Sequence, residues 1–327
     1  MQRRFPTSLA AAGLTCLLLL GLSALPTADD PPRFSGWAEP VNLGSTVNAW
    51  GDYRTNYDAC PTISKDGLSL YFRSNRLGGF GSFDIWVTQR DSVEDPWQTP
   101  VNLGPTINGA YGEFCSTFSP DGHWMVFVSN RPASAGGCGG QDLWISHRKN
   151  KRDDFGWETP KNLGCIVNSA ASENGPTWLE EEATGQTLLY LSSARPGGPG
   201  QLDIYVSEGV ADKKDEFLAP TLVPELSTEY ADYQPVLRKD GLELFFASDR
   251  PPTSGYVDLW TSTRETTAAP WNPPTNLGSG INSVEYDFHS TLSFDGTTLI
   301  FASERGGPDV GWGDLWMTTR TKLRGKR

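Results

Sequence analysis

The sequence predicts an all-β protein, a five-bladed β-propeller in which an N-terminal strand closes the last blade. Three observations predict it. A W-x-x-P-x-N-L-G opening recurs at Trp37, Trp97, Trp157, Phe217 and Trp271, with spacings of 60, 60, 60 and 54 residues. A fixed period of this size marks a repeat architecture. Each unit then carries short apolar runs separated by turn residues, and the two ends of the chain hold complementary parts of one unit.

Taken in order, residues 1–28 read as an export signal. Arg3 and Arg4 form the positive start, Leu9 to Leu25 is free of charge, and the small residues around Ala24 and Ala28 suit a processing site. The alternative is an uncleaved membrane anchor, because the apolar run approaches the length of a span. The first unit follows. Pro61 to Ser64 leads into Lys65-Asp66-Gly67, Leu68 to Arg73 alternates as a strand, and Ile85 to Thr88 makes a third β-rich run after a glycine-rich loop. Asp-Gly pairs favour tight hairpin turns and recur at Asp121-Gly122, Asp240-Gly241 and Asp295-Gly296. The third unit departs, with the longer acidic turn Glu180 to Gly185. The W-x-x-P-x-N-L-G segment supplies a fourth strand, and four antiparallel strands repeated radially describe a propeller blade. The last unit ends after Asp314-Leu315-Trp316 without its fourth strand, and Trp37 to Gly44 is the spare one. Pairing the two hides both sheet edges. The domain is therefore expected over residues 34–320, as a monomer, with a basic tail at 321–327.

The net charge is −12, and loss of Arg3 and Arg4 with the signal takes it to −14. Such a surface repels nucleic acid and anionic lipid, so a membrane contact is expected only through a retained signal. Export places Cys60, Cys115, Cys138 and Cys165 in an oxidising compartment. Cys138 lies in the loop between the second and third strands of blade two, and Cys165 just after that blade's outer strand. Both connections emerge on one face, so a Cys138–Cys165 disulfide is expected. Cys60 and Cys115 hold equivalent places on adjacent inner strands and form a second candidate pair.

Ser64-Lys65-Asp66-Gly67, Ser119-Pro120-Asp121-Gly122, Ser74-Asn75-Arg76 and Asp84-Ile85-Trp86 make the chain resemble the WD40-like propeller repeats of TolB-type bacterial envelope proteins. The resemblance covers nearly the whole chain after the signal. It implies a propeller fold and a periplasmic or extracellular setting, and it says little about activity, since one fold carries many functions.

Three sets of charged residues repeat fivefold. Asp58, Glu113, Glu173, Asp232 and Asp287 precede the inner strands; Arg76, Arg131, Arg195, Arg250 and Arg305 close the S-x-R motif; Asp84, Asp142, Asp203, Asp258 and Asp314 open D-I/L-W. Ten acids cannot all pair with five arginines. A structural clamp explains strict repetition best, with the remaining acids accepting turn N–H groups, although a ring of carboxylate oxygens also suits a hard cation such as calcium.

Function is expected where the symmetry breaks. Between Asn48 and Asp58 the first unit has five residues more than the second has between Asn108 and Glu113. Trp50, Tyr53, Arg54 and Tyr57 thereby reach the acid-ring rim, where Tyr233, Gln234 and His289 also stand. Aromatics beside a charge suit sugar or peptide stacking, and His289 offers an acid or base. The reading taken from these residues is an exported, non-enzymatic module that binds a protein or glycan on this face. The alternative is a carbohydrate-active hydrolase. Five-bladed glycosidases place carboxylates from different blades around the channel, which makes Asp58, Glu113, Glu173, Asp232 and Asp287 the catalytic candidates.

Overall fold

The computed structural model describes residues 33–49, 56–182, 184–306 and 313–323. The export-signal segment 1–28 and the insertion residues Trp50, Tyr53 and Arg54 lie outside these. Five four-stranded antiparallel sheets stand side by side. Blade one runs outward from its inner strand Asp58–Ile63 through Ser69–Ser74 and Asp84–Gln89 to the short outer strand Val101–Asn102. Blades two to five begin at Glu113–Phe118, Glu173–Glu180, Asp232–Leu237 and Asp287–Leu292. The fifth is closed by Val41–Asn42, with Val41 opposite Met317 and Asn42 opposite Trp316. The spare strand and the incomplete blade meet as expected. A second seam lies beyond them, where Arg33 pairs with Leu323 and Phe34 with Lys322, so pairing continues as far as Leu323, inside the basic tail at 321–327.

The repeated motifs form one bonding scheme. The N-L-G asparagine donates through Nδ2 to the D-I/L-W aspartate, at 2.6 Å from Asn102 to Asp84 and 2.7 Å from Asn276 to Asp258. Its own Oδ1 accepts from the following glycine N–H and from the I/V-N asparagine, both seen for Asn102 with Gly104 and Asn108. Buried polar groups are tolerated only when paired in this way. The opening tryptophan has an equally regular partner. Arg90, Arg148, Arg264 and Arg320 stack their guanidinium groups 4.2–4.4 Å from the rings of Trp97, Trp157, Trp271 and Trp37, a cation–π contact that also covers the ring.

Blades pack through aliphatic and aromatic side chains of their second and third strands, such as Leu70, Phe72, Ile300 and Ala302 in one interface. Their loops also dock closely. A methyl group at Gly81 would overlap the Tyr111 carbonyl of the next blade, so only glycine fits there.

Candidate functional site

The inner strands set the channel. Each carries a break in register one to two residues after its acid, as between Ala59 and Thr62 or Phe288 and Thr291. A bulge of this kind re-aims a side chain. Cys60, Gly175, Gln234 and His289 take left-handed backbone angles there, with φ of 53°, 51°, 56° and 49°, and turn toward the axis. The expected rim residues Gln234 and His289 are therefore at the waist. Cys60 is bonded to Cys115 with a Cα separation of 4.7 Å, the Gln234 amide donates to Cys115 Sγ, and Gln234 packs over the bare Gly175. Together they plug the channel. The Cys60, Cys115 and His289 ligand atoms lie within 4.8 Å of one another, but sulfurs joined in a disulfide are not thiolate ligands. The expected Cys138–Cys165 bridge is also formed, with a Cα separation of 5.5 Å.

On one side of the plug lies the acid ring. Asp58, Glu113, Glu173, Asp232 and Asp287 are each wholly inaccessible to solvent and each paired with the arginine of its own blade. Asp58 accepts from Arg76 at 2.8 Å and from the Ala49 N–H at 2.6 Å. Asp287 accepts from Arg305, Ser303 and Ser283. The same arginines donate to a carbonyl of the preceding loop, Val47 for Arg76 and Leu226 for Arg250. As placed, all five candidate acids, and with them the carboxylate ring that suggested calcium, serve as blade clamps bonded through both oxygens. Burial pushes the Glu113 carboxyl above its ordinary range, against the Gly109 N–H and Arg131, which lower it. Burial, and then the neighbouring Arg73, lower the His289 pKa well below its ordinary value and so favour the neutral imidazole.

Above the plug the fivefold pattern fails in one sector, between blades five and one. The middle residue of S-x-R caps a backbone N–H in three blades. Asn75 accepts from Tyr57, Asn130 from Gly112 and Asp249 from Ala231. In blade five the same column holds Glu304, which crosses to the next blade and accepts from the Tyr57 hydroxyl at 3.0 Å. Glu304 is half-buried. Burial raises its pKa and the charge of Glu285 raises it further, while the Tyr57 hydrogen bond opposes both. Beside it, Tyr256 and Tyr286 stack at 5.1 Å with their rings within 15° of parallel, and both are exposed. Tyr57 packs among Phe83 and Phe288, and Tyr233 joins the same cluster. Of the residues expected to bind ligand, Tyr57 and Tyr233 thus meet in this mouth. Sequence reasoning missed Glu304, Arg73 and Tyr286. Aligning the S-x-R columns would have singled out the first by its length, since Glu304 stands where the other blades hold Asn75, Asn130, Ala194 and Asp249.

On the other side of the plug a cavity of about 480 Å³ opens toward the S-x-D-G hairpins. Its floor is the waist ring, and its walls include Phe118, Trp178 and Leu237, with Lys65, Lys239 and Glu182 at the rim. Its wall threonines are engaged in joining blades, as where Thr62 donates to the Ser116 carbonyl at 2.5 Å. The hairpins themselves are short and repeat with little variation, yet this end is hollow. The bulges make the difference, because they carry the plug toward mid-channel and leave the lower half hollow.

No protein-family model and no curated protein matches the chain. Solved structures do. The α-L-arabinofuranosidase of Podospora anserina, determined with cellotriose, aligns with a TM-score of 0.56 over 88% of this chain and 98% of its own, at 14% identity. The α-L-arabinofuranosidase of Lactobacillus brevis aligns at 0.55 over 82% and 91%, also at 14% identity. The endo-arabinase of Bacteroides thetaiotaomicron aligns at 0.52 over 82% and 94%, again at 14%. At such identity the likeness establishes the propeller fold. It also corrects two readings of the sequence. The TolB-type resemblance is not supported, since the neighbours are glycoside hydrolase propellers of the GH62 and GH43 kinds. Nor do these neighbours support the non-enzymatic binding module read from the sequence, since the proteins they represent are hydrolases.

Proposed function

We propose that this protein is a carbohydrate-active hydrolase that works at the mouth between blades five and one. The observation that carries the reading is Glu304, a half-buried carboxyl whose pKa is raised by burial and which sits against Tyr57 at a rim furnished with exposed tyrosines. Glycoside cleavage needs a carboxylic acid that stays protonated to meet the leaving oxygen, and a second carboxylate to act as base or nucleophile. Glu304 fills the first role. Glu285, near enough for its charge to act on Glu304, fills the second. The Tyr256–Tyr286 stack offers a sugar face an apolar platform. The hydrolase neighbours support the same class, and the two disulfides fit an exported protein.

The test is a hydrolysis screen on aryl arabinofuranosides, aryl xylosides, arabinan and xylan, followed by Glu304→Gln on whatever is cleaved. The variant should lose about 100-fold or more in kcat, the scale of a missing general acid, with its thermal unfolding unchanged. A screen without cleavage, or a Glu304→Gln variant as active as the parent, overturns the reading.

A further inference from the structure

A guanidinium taken out of water requires an anion or a set of hydrogen-bond acceptors. The other arginines at the channel have them, each clamped to its ring acid. Arg73 has no anion. Among the described residues no carboxylate pairs with it, and its Nε is buried without an acceptor. The residue keeps only part of its surface exposed, and its polar neighbours are two phenols, Tyr57, which is its side-chain hydrogen-bond partner, and Tyr233. What holds the group is a cage of rings, with Tyr57 at 5.5 Å, Phe83 at 5.0 Å and Phe114 at 5.6 Å. Cation–π contacts offset only part of the lost hydration, and burial accordingly lowers the Arg73 pKa.

The position matters as much as the missing anion. Arg73 faces Ala59 on the inner strand. The groups around it come from blade one (Tyr57, Phe83), blade two (Phe114), blade four (Tyr233) and blade five (His289), so it stands near the axis, just above the plug. The same column in the other blades holds Val128, Ser192, Ala247 and Ala302. A fivefold scaffold has no use for one cation there. Tyr57 touches both charged groups of the mouth, with Arg73 against its ring and Glu304 on its hydroxyl. A ligand anchored at Arg73 would thus extend past Tyr57 toward Glu304.

We propose that Arg73 is an anion subsite and that the saccharide bound in this mouth carries a carboxylate, as uronic acids do. The saccharide part rests on the hydrolase reading; the anion part does not. A planar guanidinium matches a carboxylate with two parallel hydrogen bonds.

Calorimetric titration tests it with D-glucuronate, D-galacturonate, their uncharged methyl esters, glucose and inorganic phosphate. At least one uronate should bind saturably, and its ester about tenfold or more weaker, as expected for a lost charge-assisted pair. Arg73→Met should lose the same factor for the acid and leave the ester unaffected, and Arg73→Lys should restore part of it. Should Arg73→Met fail to fold, the acid-against-ester comparison on the unaltered protein decides the matter. Equal binding of acid and ester, or no saturable binding of either uronate, overturns the proposal. Phosphate bound as tightly as the uronate overturns its saccharide part. Failure of the hydrolase reading is seen separately, in the glycoside screen and Glu304→Gln.

Discussion

Replacing Arg250 by Met tests whether the arginine clamps hold the blades. Arg250 is 8% exposed and its partner Asp232 is wholly inaccessible. Its Nε donates to Asp232 at 3.0 Å, its Nη2 to the same carboxylate and to the Leu226 carbonyl at 2.7 Å, and its plane covers Phe246 and Trp260. Methionine keeps much of the apolar stem but strands a buried carboxylate and a loop carbonyl. A buried charge that loses its partner costs about 3–5 kcal/mol, a large part of the roughly 5–15 kcal/mol that stabilises a typical domain. Urea unfolding followed by tryptophan fluorescence should register that loss. Asp232→Asn in the same background should recover part of it, giving a coupling of about 1–3 kcal/mol in a double-mutant cycle. Lys213→Ala is the control, because the Lys213–Glu216 pair is about half exposed on both sides and should matter by no more than ~0.5 kcal/mol. If Arg250→Met costs less than about 1 kcal/mol, or the two losses simply add, the clamp is ornamental and the ring acids need another explanation.

Two further outcomes follow from the same geometry. Tyr57→Phe removes the hydrogen bond that favours the ionised form of Glu304, so the Glu304 pKa should rise further. A general acid works only while protonated, hence the alkaline limb of the kcat–pH profile should move to higher pH; a limb that stays put or moves down contradicts the assignment. Replacing Cys138 and Cys165 by Ser opens a link between positions 27 residues apart, which should cost about 3 kcal/mol in urea unfolding, and non-reducing peptide mapping of the parent that finds four free thiols would remove the basis for that figure.

Closure, blade composition and both disulfides were legible because they depend on order and spacing along the chain. The missing outer strand of the last unit called for Val41–Asn42, and loops that emerge on one face brought Cys138 to Cys165. The charge arithmetic was legible too: ten acids against five arginines left one set to other donors, and the N-L-G asparagines serve four of that set while the Gly200 N–H serves Asp203. Depth along the channel was not legible. Cys60, Gln234 and His289 stand directly beside the rim positions in sequence, and only a left-handed backbone turn at each sends them to the waist. That conformation is uncommon for such residues and leaves no compositional mark here. Shared propeller motifs also pointed to the wrong relatives, because Ser-Asp-Gly turns and Arg–acid clamps answer the demands of the scaffold and carry no information about chemistry.

That distinction governs where chemistry can reside in this propeller. A position that serves as a clamp in all five blades answers first to the scaffold: its carboxylate is paired with an arginine, and its loss would weaken a blade. Groups that mark one blade from the others stand in different columns. Glu304 and Arg73 are two of them. In the Glu304 column two blades use an asparagine and one an aspartate merely to cap an N–H, and in the Arg73 column the other four residues are small or apolar. Both exceptions fall against one residue, Tyr57, at the junction where the chain's two ends close the ring. Blade one begins there after the five-residue insertion and blade five ends there. Other blades also depart singly, as in the Glu180–Gly185 turn of the third, but among the described residues only at this junction do an unmatched cation and an unmatched carboxylate meet on one phenol.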